Sequence, residues 1–170
     1  MSEENKSLSQ IINFRKEKLS KLKKLGFEPY PHKYERTHSS MEILNNFDKL
    51  ENKDVSISGR VMALRKMGKA SFIHIMDATG KIQVFIKKDI VGEKNYEAFK
   101  LIDIGDFLGI VGLVFKTKTK EISINAQQVT ILSKSIRPLP IVKEKEGEIF
   151  HAFKDKELRY RNRHLDLIVN

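Results

Sequence analysis

Cysteine is absent from the 170 residues, which excludes a disulfide framework and any thiolate metal site. No apolar run approaches membrane length, and Met1-Ser2-Glu3-Glu4-Asn5 lacks the basic-then-apolar pattern of a secretory signal. The expected location is therefore the cytoplasm, with no membrane partner. Catalytic patterns are equally scarce. There is no glycine-rich loop that could cradle a phosphate. The five histidines (His32, His38, His74, His151 and His164) show no metal-ligand spacing. Asp77 and Asp166 stand apart rather than as a general acid/base pair, and no internal repeat is evident. Acidic residues are the minority charge, 22 against 32 Lys and Arg, which leaves a formal net charge of +10. Such an excess favours a polyanionic partner, and without a membrane-seeking segment the natural one is nucleic acid. A merely soluble basic protein is the plain alternative.

The hydrophobic content of 40% suffices for one core without surplus. From about Ser9 to Leu25, the apolar residues Leu8, Ile11, Ile12, Leu19, Leu22 and Leu25 recur at helical spacing, while Arg15, Lys16, Lys18, Lys21, Lys23 and Lys24 crowd the rest. Gly26 supplies a left-handed stop, and Pro29-Tyr30-Pro31 prevents resumption. The basic face has two readings: a solvated surface, or a clamp on an RNA backbone through Arg15, Lys16 and Lys23. Ser39 or Ser40 can cap a short helix through Met41, Ile43, Leu44 and Phe47.

Alternation with period two follows. Val55, Ile57, Gly59 and Val61 share one face of a first strand running to about Leu64. Ser71, Ile73 and Ile75 share the inner face of a second, and Ile82, Val84 and Ile86 that of a third. Phe72, His74, Gln83 and Phe85 are thereby turned outward. Gly68 and Gly80 serve the two turns, each where positive φ is cheap. A short helix from about Glu93 to Leu101 carries Tyr96, Phe99 and Ile102 as anchors. A strand over 106–116 and the hairpin Thr117-Lys118-Thr119-Lys120 lead to a fifth strand, in which the parity change across Gln127-Gln128 predicts a bulge. Three meander strands, a helix and two strands is the order of an OB-fold, a five-stranded Greek-key barrel.

The predicted fold is thus mainly β, with an N-terminal helical extension over 1–50, the OB-fold over 51–137, and a linker with a further helix over 138–170. After Pro138-Leu139-Pro140 the chain is expected to be irregular to about Lys154, with one last helix from Glu157 to Ile168. An outward aromatic stacks on a base, an amide reads its edge, and Arg60, Arg65, Lys66 and Lys69 neutralise phosphates. The plain reading of the same face is an ordinary sheet with a few exposed aromatics.

The run Gly59-Arg60-Val61-Met62-Ala63-Leu64-Arg65-Lys66-Met67-Gly68-Lys69, followed by Phe72 and then Gly80-Lys81-Ile82-Gln83, resembles the anticodon-binding domain of class II lysyl-tRNA synthetases. So do Gly105-Asp106, Ser133-Lys134-Ser135-Ile136-Arg137-Pro138-Leu139-Pro140 and Arg159-Tyr160-Arg161-Asn162-Arg163-His164-Leu165-Asp166-Leu167. The resemblance implies that Phe72 stacks on the middle anticodon base and Gln83 bonds its edge. It further implies that Arg60 contacts the same uracil or its neighbour, that Glu121 reads an adjacent base, and that His74 gives a supporting contact. Lys120 stands where the family has glycine. Lysine tolerates positive φ poorly, which leaves the aim of Glu121 open.

The resemblance implies a tRNA-Lys anticodon stem-loop as partner and a parent enzyme that activates lysine with ATP and Mg. Those cofactors belong to a catalytic domain expected beyond this chain, which itself needs none. The parent is expected to be a homodimer, and this piece alone an inactive monomer that binds RNA. A free-standing OB-fold protein binding single strands without sequence preference is the rival reading, and a purely structural domain docked on a partner is a third.

Overall fold

The computed structural model describes residues 7–140, 143–145, 148–150 and 155–169. Residues 1–5, His151 and part of the 141–154 link, all discussed above, lie outside them.

Helix α1 (Leu8–Lys24) opens with a capping box in which Ser7 and Gln10 satisfy each other's backbone N–H groups. It stops at Gly26, where φ is +83°. The helix turns Leu22 wholly inward, but its inward stripe also carries two cations that the spacing assigned to the basic face. Arg15 is buried, and its Nη1 donates to the carbonyls of Ile104 (3.2 Å) and Ser135 (2.9 Å). Lys18 pairs with Asp103. Arg15 therefore holds the helix to the barrel and is withdrawn as a backbone-clamping residue. A guanidinium on an apolar stripe can be satisfied by carbonyls, which helical periodicity does not register. Leu8 and Leu25, expected on the buried side, are exposed.

Ser39 caps α2 (Ser40–Asn45) with a second capping box, and Asn46 separates it from α3 (Phe47–Leu50). The strands β1 (Asp54–Met67), β2 (Ala70–Met76), β3 (Lys81–Lys87), β4 (Phe107–Lys116) and β5 (Ile122–Ser133) close into a barrel in the order β1-β2-β3-β5-β4. Only the β3–β5 pairing within it is parallel. This is the OB-fold that the element order predicts. Its interior is filled by the alternating residues named above, joined by Leu108, Ile110, Val114, Ile124 and Ala126. Between β3 and β4, α4 (Lys88–Val91) and α5 (Glu93–Lys100) contribute Val91, Tyr96 and Phe99 to the same core, with Ile102 beyond them.

The barrel's pairings shift register three times, once between Phe107 and Leu108 and at two bulges that set the faces. One falls where the parity change places it: Val111 pairs with Gln128 and Gly112 with Ala126, leaving Gln127 extra. A Cβ at Gly112 would come within 2.2 Å of the Asn125 carbonyl, so the strands approach there as only glycine permits. The other bulge has no parity signal. Val61 pairs with Ile75 and Ala63 with His74, so Met62 is extra and the remainder of β1 changes face.

The second turn also differs from expectation. Gly80 is not among the glycines at positive φ; the Asp77 carboxylate organises the turn instead. Its Oδ1 accepts from Thr79 N–H (2.7 Å), the Thr79 hydroxyl (2.7 Å) and Gly80 N–H (3.0 Å), and Oδ2 accepts from Ser40 N–H at the start of α2 (2.7 Å). Burial pushes this carboxyl up, but the four donors outweigh it and hold the pKa at about 2. A depressed carboxylate stabilises the fold above its unfolded pKa, and that contribution is lost as pH falls through the folded one. Asp77→Ala is therefore expected to cost about 1 kcal/mol at pH 7, allowing for its partial exposure, and much less near pH 2. Urea unfolding at the two pH values measures the difference; an equal loss at both would remove the charge from the explanation.

A buried ionic knot lies behind β4. The fully buried Lys134 ammonium donates to Asp103 and, at 2.7 Å, to Asp106 Oδ2, while Ser135 N–H donates to Asp106 Oδ1 at 2.7 Å. Beyond the barrel two expectations are corrected. The stretch expected to be irregular contains two short strands, β6 (Lys143–Lys145) and β7 (Glu148–Phe150), paired antiparallel. The single last helix is two, α6 (Lys156–Arg161) and α7 (Arg163–Val169). They part at Asn162, which leaves helical geometry and donates its side-chain amide to Leu158 O. Asp166 pairs with Arg159 and Arg163 from both helices.

Candidate nucleic-acid interface

On the outer face of β2 and β3 a cleft of about 710 Å³ is lined by Ala63, Leu64, Arg65, Phe72, His74, Gln83, Phe85, Phe115, Glu121 and the hairpin residues Thr117, Lys118 and Thr119. The pairing explains its make-up. Residues directly opposed in a sheet share a face, and β2 and β3 oppose Phe72 to Phe85 and His74 to Gln83. The two phenylalanine rings stack at 4.5 Å between centroids and 24° between planes. Phe115 tilts against Phe85 at 6.4 Å, and Lys87 Nζ lies 5.2 Å over the Phe85 ring. Three rings thus form one apolar wall.

The polar wall is a hydrogen-bonded chain. Ser123 Oγ donates to Gln83 Oε1 (2.8 Å), Gln83 Nε2 donates to Glu121 Oε2 (2.8 Å), and His74 Nε2 lies 3.3 Å from Glu121 Oε1. Glu121 reaches them because Lys120 adopts φ of +65°. The left-handed residue is accepted even without glycine, held by Lys120 N–H donating to Thr117 O and Glu121 N–H to Thr117 Oγ1. The carboxylate thus points at the cleft.

The cations divide otherwise than the sequence suggests. Arg65 opposes Phe72 and lines the cleft. Arg60, taken as a base contact, does not line it: its Nη1 donates to Gly105 O (3.2 Å) and its guanidinium lies 4.3 Å over the Phe107 ring. Burial lowers its pKa from the ordinary guanidinium value. Lys66 opposes the buried Ser71 and donates to Lys100 O at 2.8 Å, on the other side of the strand. The Met62 bulge is the cause, since the extra residue turns Arg65 toward the cleft and Lys66 away. Lys69 is exposed in the β1–β2 turn, and Lys16 and Lys23 are exposed on α1. Phe85 was legible as outward, but Phe115 and Thr117 carried no signal: their place depends on how β4 and its hairpin close over β3. Among the described residues, no group of three His, Cys, Asp or Glu could hold a metal ion, and no helix is long and apolar enough to cross a membrane.

The barrel has the topology of an OB-fold, and residues 55–132 match the tRNA anti-codon family, described as an OB-fold nucleic acid binding domain. Over nearly its whole length the chain is similar to lysine–tRNA ligases. That of Pelotomaculum thermopropionicum is 48% identical over 163 residues, 96% of this chain and 31% of the relative. That of Carboxydothermus hydrogenoformans is 48% identical over 167 residues, 98% of this chain and 33% of the relative. That of Syntrophomonas wolfei is 44% identical over 170 residues, 100% of this chain and 33% of the relative. The chain therefore spans about a third of the length of the curated relatives it matches.

Proposed function

We propose that this chain is the part of a lysine–tRNA ligase that reads the anticodon loop of tRNA-Lys. The observation that carries the reading is the joining, in one cleft, of the Phe72–Phe85 stack with the Gln83–Glu121 pair. A ring face holds any base, and an amide and carboxylate beside it distinguish one base edge from another. Arg65, which lines the cleft, and the exposed Lys69, Lys16 and Lys23 are the cations assigned to phosphates in this reading. The division into a helical extension over 1–50, a reading barrel over 51–137 and a connecting segment over 138–170 belongs to the same proposal. So do the parent's cytoplasmic location and homodimeric state. Activation of lysine with ATP and Mg is assigned to the remaining two thirds of the ligase, so this chain alone binds RNA without reacting.

Titration with an anticodon stem-loop carrying three uracils tests the proposal. Affinity is expected to fall as salt rises, with log K changing by about −0.7 per phosphate contact for a single strand, and to exceed that for a loop with the middle uracil changed to cytosine. Equal affinity for the two loops would favour a sequence-blind single-strand binder. A flat salt response would remove the basic residues from the interface.

A further inference from the structure

We propose that Ser123 is a positioning residue that fixes the orientation of the Gln83 amide, and through it the cleft's preference for uracil over cytosine. The inference rests on the reading of Gln83 as the group that meets a base edge. Ser123 opposes Gln83 across the parallel β3–β5 pair and is entirely buried, so its hydroxyl has no water to turn to. Two acceptors lie within its reach: Gln83 Oε1 at 2.8 Å and the Glu121 carbonyl at 3.4 Å. The shorter contact takes the proton. On the other side of the amide, Gln83 Nε2 faces Glu121 Oε2 at 2.8 Å.

An ionised carboxylate only accepts, so it requires the NH₂ end of the amide, while the serine proton requires the oxygen end. The two ends of the amide are thereby distinguished by partners of opposite character. What remains for a ligand is one lone pair on Oε1 and one N–H on Nε2, in a fixed order along the cleft. Uracil offers an acceptor at position 4 and a donor at position 3; cytosine offers a donor at position 4 and an acceptor at position 3. The two pyrimidines therefore demand opposite orientations of the same amide. One orientation pairs with uracil and sets like against like for cytosine, and the flipped one reverses this. The lock makes the choice before the base arrives. Ser123 touches no base itself, being absent from the cleft lining.

The test is a competition titration of the chain with two stem-loops that differ by a single uracil-to-cytosine change at the middle anticodon position. It is run on the unsubstituted chain, Ser123→Ala, Ser123→Thr, Gln83→Ala and the Ser123→Ala/Gln83→Ala pair. Ser123→Ala is expected to lower the uracil-to-cytosine affinity ratio by about fivefold, the weight of one hydrogen bond. Ser123→Thr, which keeps the hydroxyl, should stay within about twofold of the starting ratio. On the Gln83→Ala background, Ser123→Ala should leave the ratio where it is, because a residue acting through Gln83 has nothing left to orient. An equal weakening of both loops, or the same change in ratio with and without Gln83, makes Ser123 a packing residue and overturns the proposal. Should threonine not fit the buried site, the Gln83 side-chain NH₂ resonances decide: they must shift in Ser123→Ala if the lock exists, and unmoved resonances overturn it. If Gln83→Ala lowers the ratio and Ser123→Ala does not, the lock alone fails. If Gln83→Ala leaves the ratio unchanged, the edge-reading role of Gln83 fails and takes the lock with it.

Discussion

Lys134→Met is expected to destabilise the barrel by about 3–5 kcal/mol, the loss seen when one member of a buried ionic group is removed and the others stay. The lysine is fully buried between Asp103 and Asp106, and methionine fills its volume without its charge. Burial pushes the Asp106 carboxyl above its ordinary value even with Lys134 present. Asp103 is pushed the same way by burial, but Lys134 and Lys18 together hold it below. Without Lys134 both carboxyls rise. A carboxyl raised in the folded state favours folding while protonated and loses that advantage as pH climbs through its folded pKa. The deficit of the variant should therefore be largest at neutral pH and shrink toward pH 4. At about 2–4 °C per kcal/mol for a chain of this size, melting should fall by roughly 10 °C at pH 7. Adding Asp106→Asn to the variant should recover part of the loss. A loss below about 1 kcal/mol, or one that does not change with pH, would mean that solvent reaches the two carboxylates.

Phe72→Ala should weaken binding of every anticodon stem-loop by about 5- to 150-fold, corresponding to about 1–3 kcal/mol for one stacked base. The ring is only partly covered in the free chain, where Phe85 stacks on it. Because every base has a π-face, loops with uracil and with cytosine should lose equally, in contrast to the effects expected at Gln83. Equilibrium titration at one fixed salt concentration, with thermal unfolding as a check that the variant folds, measures this. Binding as tight as that of the unsubstituted chain would make Phe72 a packing residue and end its role as a platform.

Much of the barrel was legible because the interior residues of β2 and β3 alternate without interruption. Ile73, Ile75, Ile82, Val84 and Ile86 declare two strands and their faces, and the parity change across Gln127-Gln128 declares a bulge that the pairing bears out. The face carrying Phe72, His74, Gln83 and Phe85 followed from the same alternation. What failed did so where one contact outweighs a pattern. Arg15 reads as a surface cation because nothing in helical spacing reveals the carbonyls of Ile104 and Ser135, contributed from 89 and 120 residues away. Gly80 reads as the hinge of its turn because glycine usually is; four donors to Asp77 do that work instead. Lys120 reads as an obstacle to the hairpin, yet bonds to Thr117 hold it at positive φ. The cleft itself needed the closed barrel, since Phe115 and Glu121 come from opposite arms of a hairpin folded over β3.

The extra residue at Met62 has a consequence for how relatives of this chain are compared. It acts as a phase shift in β1: before it, even-numbered positions such as Arg60 face out, and after it odd-numbered ones such as Arg65 do. Two adjacent basic residues, Arg65 and Lys66, consequently serve different masters, one the cleft and the other the carbonyl of Lys100. A relative that lacked the insertion, or carried it one position later, would present the opposite member of the pair to its ligand while showing the same letters in the same columns. Residue identity in this segment therefore transfers between proteins only together with the location of the bulge.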